Sequence, residues 1–405
     1  MSELAARSLV TALLLLTIPL HAFGLYAVGL MGLARLRRAE RRGQPPDKAP
    51  RIALVVVAHD EEQVIVDSVK SLVGQRYPTG AFETLVVADR CTDRTAELAR
   101  AAGARVLERN DGPGGKSAAV KFGVEAILGE GFDALGIFDA DNLADPNFVE
   151  AVAARLANER VVQGFVDSKN PSASWIAGSS ALGFWAIAEG AQAPRERLGL
   201  STPLMGTGFV IEMGLARQAL TAGGGLTDDL DLAARLAPLG VRVAYEPRAR
   251  TVDEKPTRLA TAVAQRQRWM QGRWAVASVH VPALVRAALR AEGAKARWTL
   301  LDVAIQLVAP SLLFTAVAVA LLAAAALVVA CLSGQGAPLL ATGSLAAAAA
   351  YYAVPAVGIA RHRPGPDVWL CYAFQPLYLV LSLPLAVTGF LRRRDGGWVR
   401  TPKGA

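Results

Sequence analysis

Phe138-Asp139-Ala140-Asp141-Asn142 decides how this chain is read. It follows an apolar run, Ala134 to Phe138, that predicts a short buried strand. Asp145-Pro146 behind it suits the N-cap and first position of a helix from about Asn147. Two carboxylates one residue apart, at the C-terminal end of a strand, can both reach one hard cation. Mg2+ or Mn2+ held by one or two carboxylates, with phosphate oxygens completing the shell, is how proteins usually grip a nucleoside diphosphate. Asp-x-Asp alone is a weak signal, since most such pairs are solvated loop carboxylates. Its weight comes from its surroundings.

Upstream, Ile52-Ala53-Leu54-Val55-Val56-Val57 is a continuous apolar, β-branched run, as expected of a parallel strand covered on both faces. The pattern predicts a helix over Val64 to Val73, a strand at Leu85 to Val87, and a helix capped by Thr92 or Asp93 and ended by Gly103. Alternation of this kind argues an α/β fold, an open and mostly parallel sheet flanked by helices, whose ligands sit at the carboxyl ends of the strands. The loops Ala58-His59-Asp60-Glu61-Glu62, Ala88-Asp89 and Asp139-Ala140-Asp141 all fall on that edge.

The chain has 405 residues, 53% of them hydrophobic, and its mean hydropathy of +0.31 is too high for a purely soluble protein. The apolar residues concentrate at the two ends. Ser8 to Leu33 is long enough to cross a hydrocarbon core of about 30 Å. No small-residue cleavage site follows it, so it reads as an uncleaved anchor. Arginines at 35, 37, 38, 41 and 42 put that side in the cytosol. Further runs cover about Pro310 to Leu332, Leu339 to Ala360 and Val368 to Leu391, the last interrupted by Pro376 and Pro384. Leu259 to Arg290 reads as an amphipathic helix at the membrane interface. The divisions are therefore 1–50 (anchor and linker), 51–258 (cytosolic α/β domain), 259–297 (interfacial helices) and 298–405 (transmembrane helices and basic tail). A multi-pass protein of the plasma (inner) membrane is expected. The net charge of +8 clusters beside the apolar runs, which fits anionic membrane lipids and not nucleic acid. Three widely spaced cysteines argue no disulfide framework.

Several motifs, in order, resemble the processive membrane-bound family-2 glycosyltransferases that make cellulose, hyaluronan, chitin oligosaccharides and poly-N-acetylglucosamine. They are the Ala58 to Glu62 opening, Val87-Ala88-Asp89, Gly114-Gly115-Lys116-Ser117, Asp139-Ala140-Asp141, Gly206-Thr207-Gly208, Thr227-Asp228-Asp229 and Gln265-Arg266-Gln267-Arg268-Trp269. The resemblance implies a GT-A-like fold and an inverting, metal-dependent transfer from a UDP-sugar. It implies that Asp139 lies near the donor's ribose and diphosphate, that Asp141 coordinates Mg2+ or Mn2+ with Asp139 beside it, and that Ala58, His59, Glu61 and Asp89 hold the uridine. Lys116, after two glycines at a helix start, suits phosphate. Asp229 matches the family's base, with Asp228 where a glutamate is usual; the plainer reading is a helix cap.

Gln265, Arg268 and Trp269 are spaced to share a helical face. The resemblance gives the first two to the diphosphate and Trp269 to the acceptor sugar, alongside Gly206, Thr207 and Gly208. Arg273 and Trp274 fit ordinary membrane anchors, and Glu189 with Arg195 to Arg197 reads as a loop. The expected product is a β-linked polysaccharide, with an export partner or a homo-oligomer to accompany it. The alternative is transfer of one sugar to a membrane lipid, because lipid-glycosylating relatives share these motifs. A non-catalytic nucleotide-binding regulator is the reading from another class.

Overall fold

The computed structural model describes residues 2–37, 48–112, 114–220 and 228–394. Arg38, Arg41 and Arg42 of the first basic cluster, most of the following linker, and Thr227 lie outside that set. The chain forms two compact units: residues 39–170, 199–308 and 385–405 in one, and residues 1–38, 171–198 and 309–384 in the other.

The first unit carries the sheet. Its strands are β1 Ile52–Ala58, β2 Phe82–Asp89, β3 Arg105–Arg109, β4 Ala134–Asp139, β5 Leu143–Ala144, β6 Val161–Ser168, β7 Phe209–Glu212 and β8 Val243–Asp253. Their order is β3-β2-β1-β4-β7-β6-β8-β5. β3, β2, β1 and β4 run parallel, as do β6 and β8; β7 is antiparallel to both its neighbours, and β5 to β8. All strands but β7 and β5 run in one direction, so the sheet is mixed but mostly parallel, as expected.

Alternate residues of β1 feed two separate cores. Ile52, Leu54 and Val56 pack with Ile65, Phe138 and Phe148 on one face; Ala53 and Val55 pack with Leu85, Leu135 and Leu232 on the other. Burial on both faces is why the run is apolar without alternation. The register pairs Ala58 with Ala88 and Val57 with Asp139, so three strands end level.

Two helix starts differ from the sequence reading. The helix Phe148–Leu156 begins a residue late, because Asp145 accepts from the Asn147 amide at 2.9 Å and closes a turn in front of it. The helix Thr95–Ala101 has no side-chain bond from the residue at its N-cap; Asp93 instead accepts from the Thr95 amide at 2.9 Å. The helix Leu259–Arg290 has the predicted bounds. It is pinned within this unit by His280 to Asp231 (2.8 Å) and by the Trp274 indole donating to the Ala386 carbonyl (3.0 Å).

The second unit is helical. Glu3–Leu36, Leu312–Leu332, Leu339–His362 and Pro366–Leu391, the last assigned to this unit only as far as Pro384, are by length and composition able to cross a membrane. The last is broken: one helix ends at Val380 and the next starts at Leu383, with Pro384 in its first turn. Residues 189–197, expected as a loop, are instead the end of a continuous helical stretch. It runs from Trp175–Ile187 through a π-turn at Ala188–Gln192 into Ala193–Leu198.

Candidate active site

The level ends of β1, β2 and β4 assemble the acidic edge. Past β1 the backbone turns at Asp60, which takes a left-handed φ of 53°, and past β2 it turns at Arg90 with the same φ. The His59 ring nitrogen Nδ1 lies 2.7 Å from the Asp89 carbonyl oxygen, Thr92 donates its amide to Asp60 at 2.6 Å, and Glu61 donates its amide to Thr95 Oγ1 at 2.7 Å. Ala58, fully buried, ends β1 beneath this mesh. The Asp89 carboxylate is buried and salt-bridged to Arg109.

Lys116 starts the helix Lys116–Ala126 behind Gly115, whose φ of 115° suits glycine. Its ammonium reaches Asp139 Oδ1 at 2.5 Å and the Gly206 carbonyl at 2.6 Å. Gly206 and Gly208 both have positive φ (79° and 61°). Between them Thr207 is buried; its hydroxyl accepts from the Asp139 amide at 3.1 Å and donates to Asn142 Oδ1. Gln163, fully buried on β6, holds the same loop: it donates to the Thr207 and Gly208 carbonyls (3.0 and 3.2 Å) and accepts from the Met205 amide (2.9 Å). A methyl group added at Gly206 would lie 3.5 Å from Asp229 Oδ2. The glycine turn thus bridges from Asp139 and Lys116 to Asp229.

Asp229 opens the helix Asp228–Leu236. Facing it electrostatically is Arg273 of the Leu259–Arg290 helix, a residue the sequence suggested as a membrane anchor. Loss of water lowers the Arg273 guanidinium from its usual value while the charge of Asp229 raises it. It also donates to the Gln306 carbonyl at 3.0 Å. Gln265, Arg268 and Trp269 lie half-buried along the preceding turns of that helix.

Sequence reasoning missed a second acid–base pair. Asp253 ends β8, and the Lys255 ammonium sits 2.5 Å from its carboxylate with only 3% of that side chain exposed. Burial pushes the Asp253 carboxyl up, Lys255 pulls it back, and the charges of Asp141 and Asp139 push it up again. Burial lowers Lys255, against the charges of Asp253, Asp141 and Asp167. Asp139, Asp141 and Asp253 therefore share one electrostatic neighbourhood. Among the described residues, the one group with ligand atoms within 4.8 Å of one another is a different one: Asp60, Cys91 and Asp93. Burial raises the Cys91 thiol, which suits it poorly to metal, and both carboxylates accept hydrogen bonds that tie the loops.

The family described as "Glycosyltransferase like family 2" matches residues 50–272, more than half of the chain. A beta-monoglucosyldiacylglycerol synthase of Nostoc sp. is 31% identical over 271 residues, 62% of this chain and 54% of that protein. Its namesake in Synechocystis sp. is 30% identical over 242 residues, 55% of this chain and 48% of that protein. The chain spans about half the length of these relatives. The fold resembles a mannosyltransferase from Pyrobaculum calidifontis solved with GDP-Man and Mn2+ (TM-score 0.61, 20% identity, 95% of this chain and all of that one).

Proposed function

The chain belongs to glycosyltransferase family 2, and from that premise we propose that it transfers a single hexose from a UDP-sugar to a diacylglycerol-type membrane lipid. The observation that carries the active-site reading is that Lys116 links Asp139 to the Gly206 turn, and that this turn lies beside Asp229, a carboxylate on a separate helix. The choice of acceptor is supported by the relatives above, whose names specify monoglucosyldiacylglycerol synthesis. The polysaccharide product expected from the sequence gives way to the lipid alternative, and the export partner goes with it.

In this reading Ala58, His59, Glu61 and Asp89 frame the nucleoside, and Asp139 and Asp141 present oxygen ligands for Mg2+ or Mn2+. The fit rests on the donor set: hard carboxylate oxygens at one strand end, with diphosphate oxygens left to complete the shell. Bound there, the cation would act as a Lewis acid toward the departing diphosphate. Lys116 adds a positive charge on the same side, and Arg268 and Gln265 approach from the helix. Asp229 takes the proton of the acceptor hydroxyl as its oxygen attacks the anomeric carbon; the bond to the diphosphate breaks, and the configuration inverts. Arg273 keeps the base oriented, while Trp269 and the glycine turn at residues 206–208 shape the acceptor's approach. Residues 51–258, apart from 171–198 of the helical unit, form the catalytic domain, and 259–297 the interfacial part. The apolar ends, 1–50 and 298–405, hold the protein in the membrane with the catalytic domain on the cytosolic side.

The test is turnover by the full chain in nanodiscs with Mn2+ or Mg2+, a panel of UDP-hexoses and dioleoylglycerol. UDP release with a single-sugar glycolipid is expected. Asp229→Asn should keep donor binding and lose transfer by roughly 10²-fold or more, and Asp141→Ala should lose metal-dependent donor binding. A ladder of glycan products would restore the polymer reading, and near-wild-type transfer by Asp229→Asn would remove the base.

A further inference from the structure

The helical unit contains an open cleft that the transferase reading does not use. It is lined by Arg35, Arg197, Arg361, Glu189, Met31 and Pro194, among others. Arg35 closes the helix Glu3–Leu36, and Arg361 follows the helix Leu339–Ile359, so the cleft sits at the ends of two segments able to cross a membrane. Membrane helices meet lipid headgroups at such ends.

The cleft is built. The π-turn Ala188–Gln192 carries Glu189, and a methyl group at Gly358 would lie 2.5 Å from the Glu189 Cβ, so only glycine permits this approach. Glu189 pairs with Arg361 at 2.8 Å, and His362, 3.5 Å away, stacks flat on Trp185 with ring centroids 5.1 Å apart. Arg35 and Arg197 have no such anchor among the described residues. Three guanidinium groups against one carboxylate leave two positive charges over, arranged around a rim with an apolar floor at Met31 and Pro194.

From this juxtaposition we infer that the cleft binds the phosphodiester of an anionic phospholipid, with Arg35, Arg197 and Arg361 as donors. Guanidinium forks match phosphate oxygens, and the apolar floor suits the glycerol end of the chains. The inference rests on the two helices crossing the membrane and not on sugar transfer. Whether the protein leaves membranes only with detergent tests that premise separately.

The full chain in mild detergent, without sugar donor, is titrated with phosphatidylglycerol or phosphatidylcholine, and retained lipid is counted by native mass spectrometry. Phosphatidylglycerol should be preferred, and each exposed arginine changed to glutamine (Arg35→Gln, Arg197→Gln, Arg361→Gln) should weaken it roughly fivefold. Glu189→Gln, which releases Arg361, should strengthen it, an effect that misfolding does not produce. The inference is overturned by equal retention of the two lipids, by an undiminished preference in the triple variant, by weaker binding in Glu189→Gln, or by displacement with millimolar inorganic phosphate alone.

Discussion

The two halves of the sheet are built differently. β3, β2, β1 and β4 are parallel; β1, β2 and β4 are mainly apolar and almost fully buried, with Thr84 the buried polar residue within them, while β3 at the edge is partly exposed and carries Arg105 and Glu108. The other half, β7, β6, β8 and β5, buries polar groups within it: Gln163, Asp167, Ser168, Glu246 and Thr251 are each under 9% exposed. Its register slips between Gly164 and Phe165, so that Glu246 and Arg250 face consecutive residues of β6 and Pro247 falls in the bulge, where its missing N–H costs nothing. The apolar half supplies a level platform. The polar half shapes what stands on it, because Gln163 holds the 206–208 turn and β8 delivers Asp253.

The contrast predicts unequal tolerance of one methyl group. At Gly164 an added Cβ would meet backbone, the Ala249 carbonyl at 2.3 Å and the Gly208 carbonyl at 2.9 Å, which cannot yield without moving the site loop. Gly164→Ala should cost about 3 kcal/mol or more, read as a large fall in the thermal unfolding midpoint. At Gly136 on β4 the nearest atoms are side-chain carbons of Phe138 and Leu54 at 3.1 and 3.2 Å. Gly136→Ala should stay within about 1 kcal/mol. Equal losses at the two positions would break the distinction.

A smaller effect sharpens it. Gln163→Leu keeps the volume but strands the Met205 amide and the Thr207 carbonyl, and one unpaired buried group costs about 1–3 kcal/mol. We expect a loss of about 2 kcal/mol, accompanied by roughly tenfold slower transfer because Thr207 carries the Asp139 amide. Unchanged turnover in a destabilised protein would show that the polar half supports the fold without shaping the site.

The same contrast explains what the sequence revealed. β1 could be read because burial on both faces leaves an unbroken apolar run, and Asp139-Ala140-Asp141 because a strand end forces that pair to one edge. The Leu259–Arg290 helix kept its predicted bounds because its period is sustained over many turns. Val243–Asp253 had no such signature: Glu246, Arg248 and Arg250 look like solvent-facing charges, yet Glu246 is buried because Arg248 covers it at 2.8 Å. Asp253 and Lys255 were hidden in the same way, since a mutually paired acid and base read in sequence as ordinary surface polarity. Arg273 looked like a membrane anchor because helical spacing gives its face and not its burial or the Asp229 charge that acts on it. The π-turn at Ala188–Gln192 left no local mark; Gly358, more than 160 residues away in the chain, makes room for it.

The smallest predicted effect lies in the apolar half and concerns pH. Burial works to raise the Asp93 carboxyl, but hydrogen bonds from the Thr95 hydroxyl and amide and from the Glu62 amide outweigh it, holding the group below its ordinary 3.8. A folded-state value below the unfolded one means the unfolded chain binds the proton more tightly. Asp93 therefore adds stability above about pH 4, and that contribution disappears as pH falls through its folded value. Asp93→Asn should lower the unfolding midpoint at pH 7 by a small amount, and the gap to the wild type should narrow steadily between pH 5 and pH 3. A gap that stayed constant across that range would mean that shape, and not charge, makes this carboxylate the tie between the β1 and β2 loops.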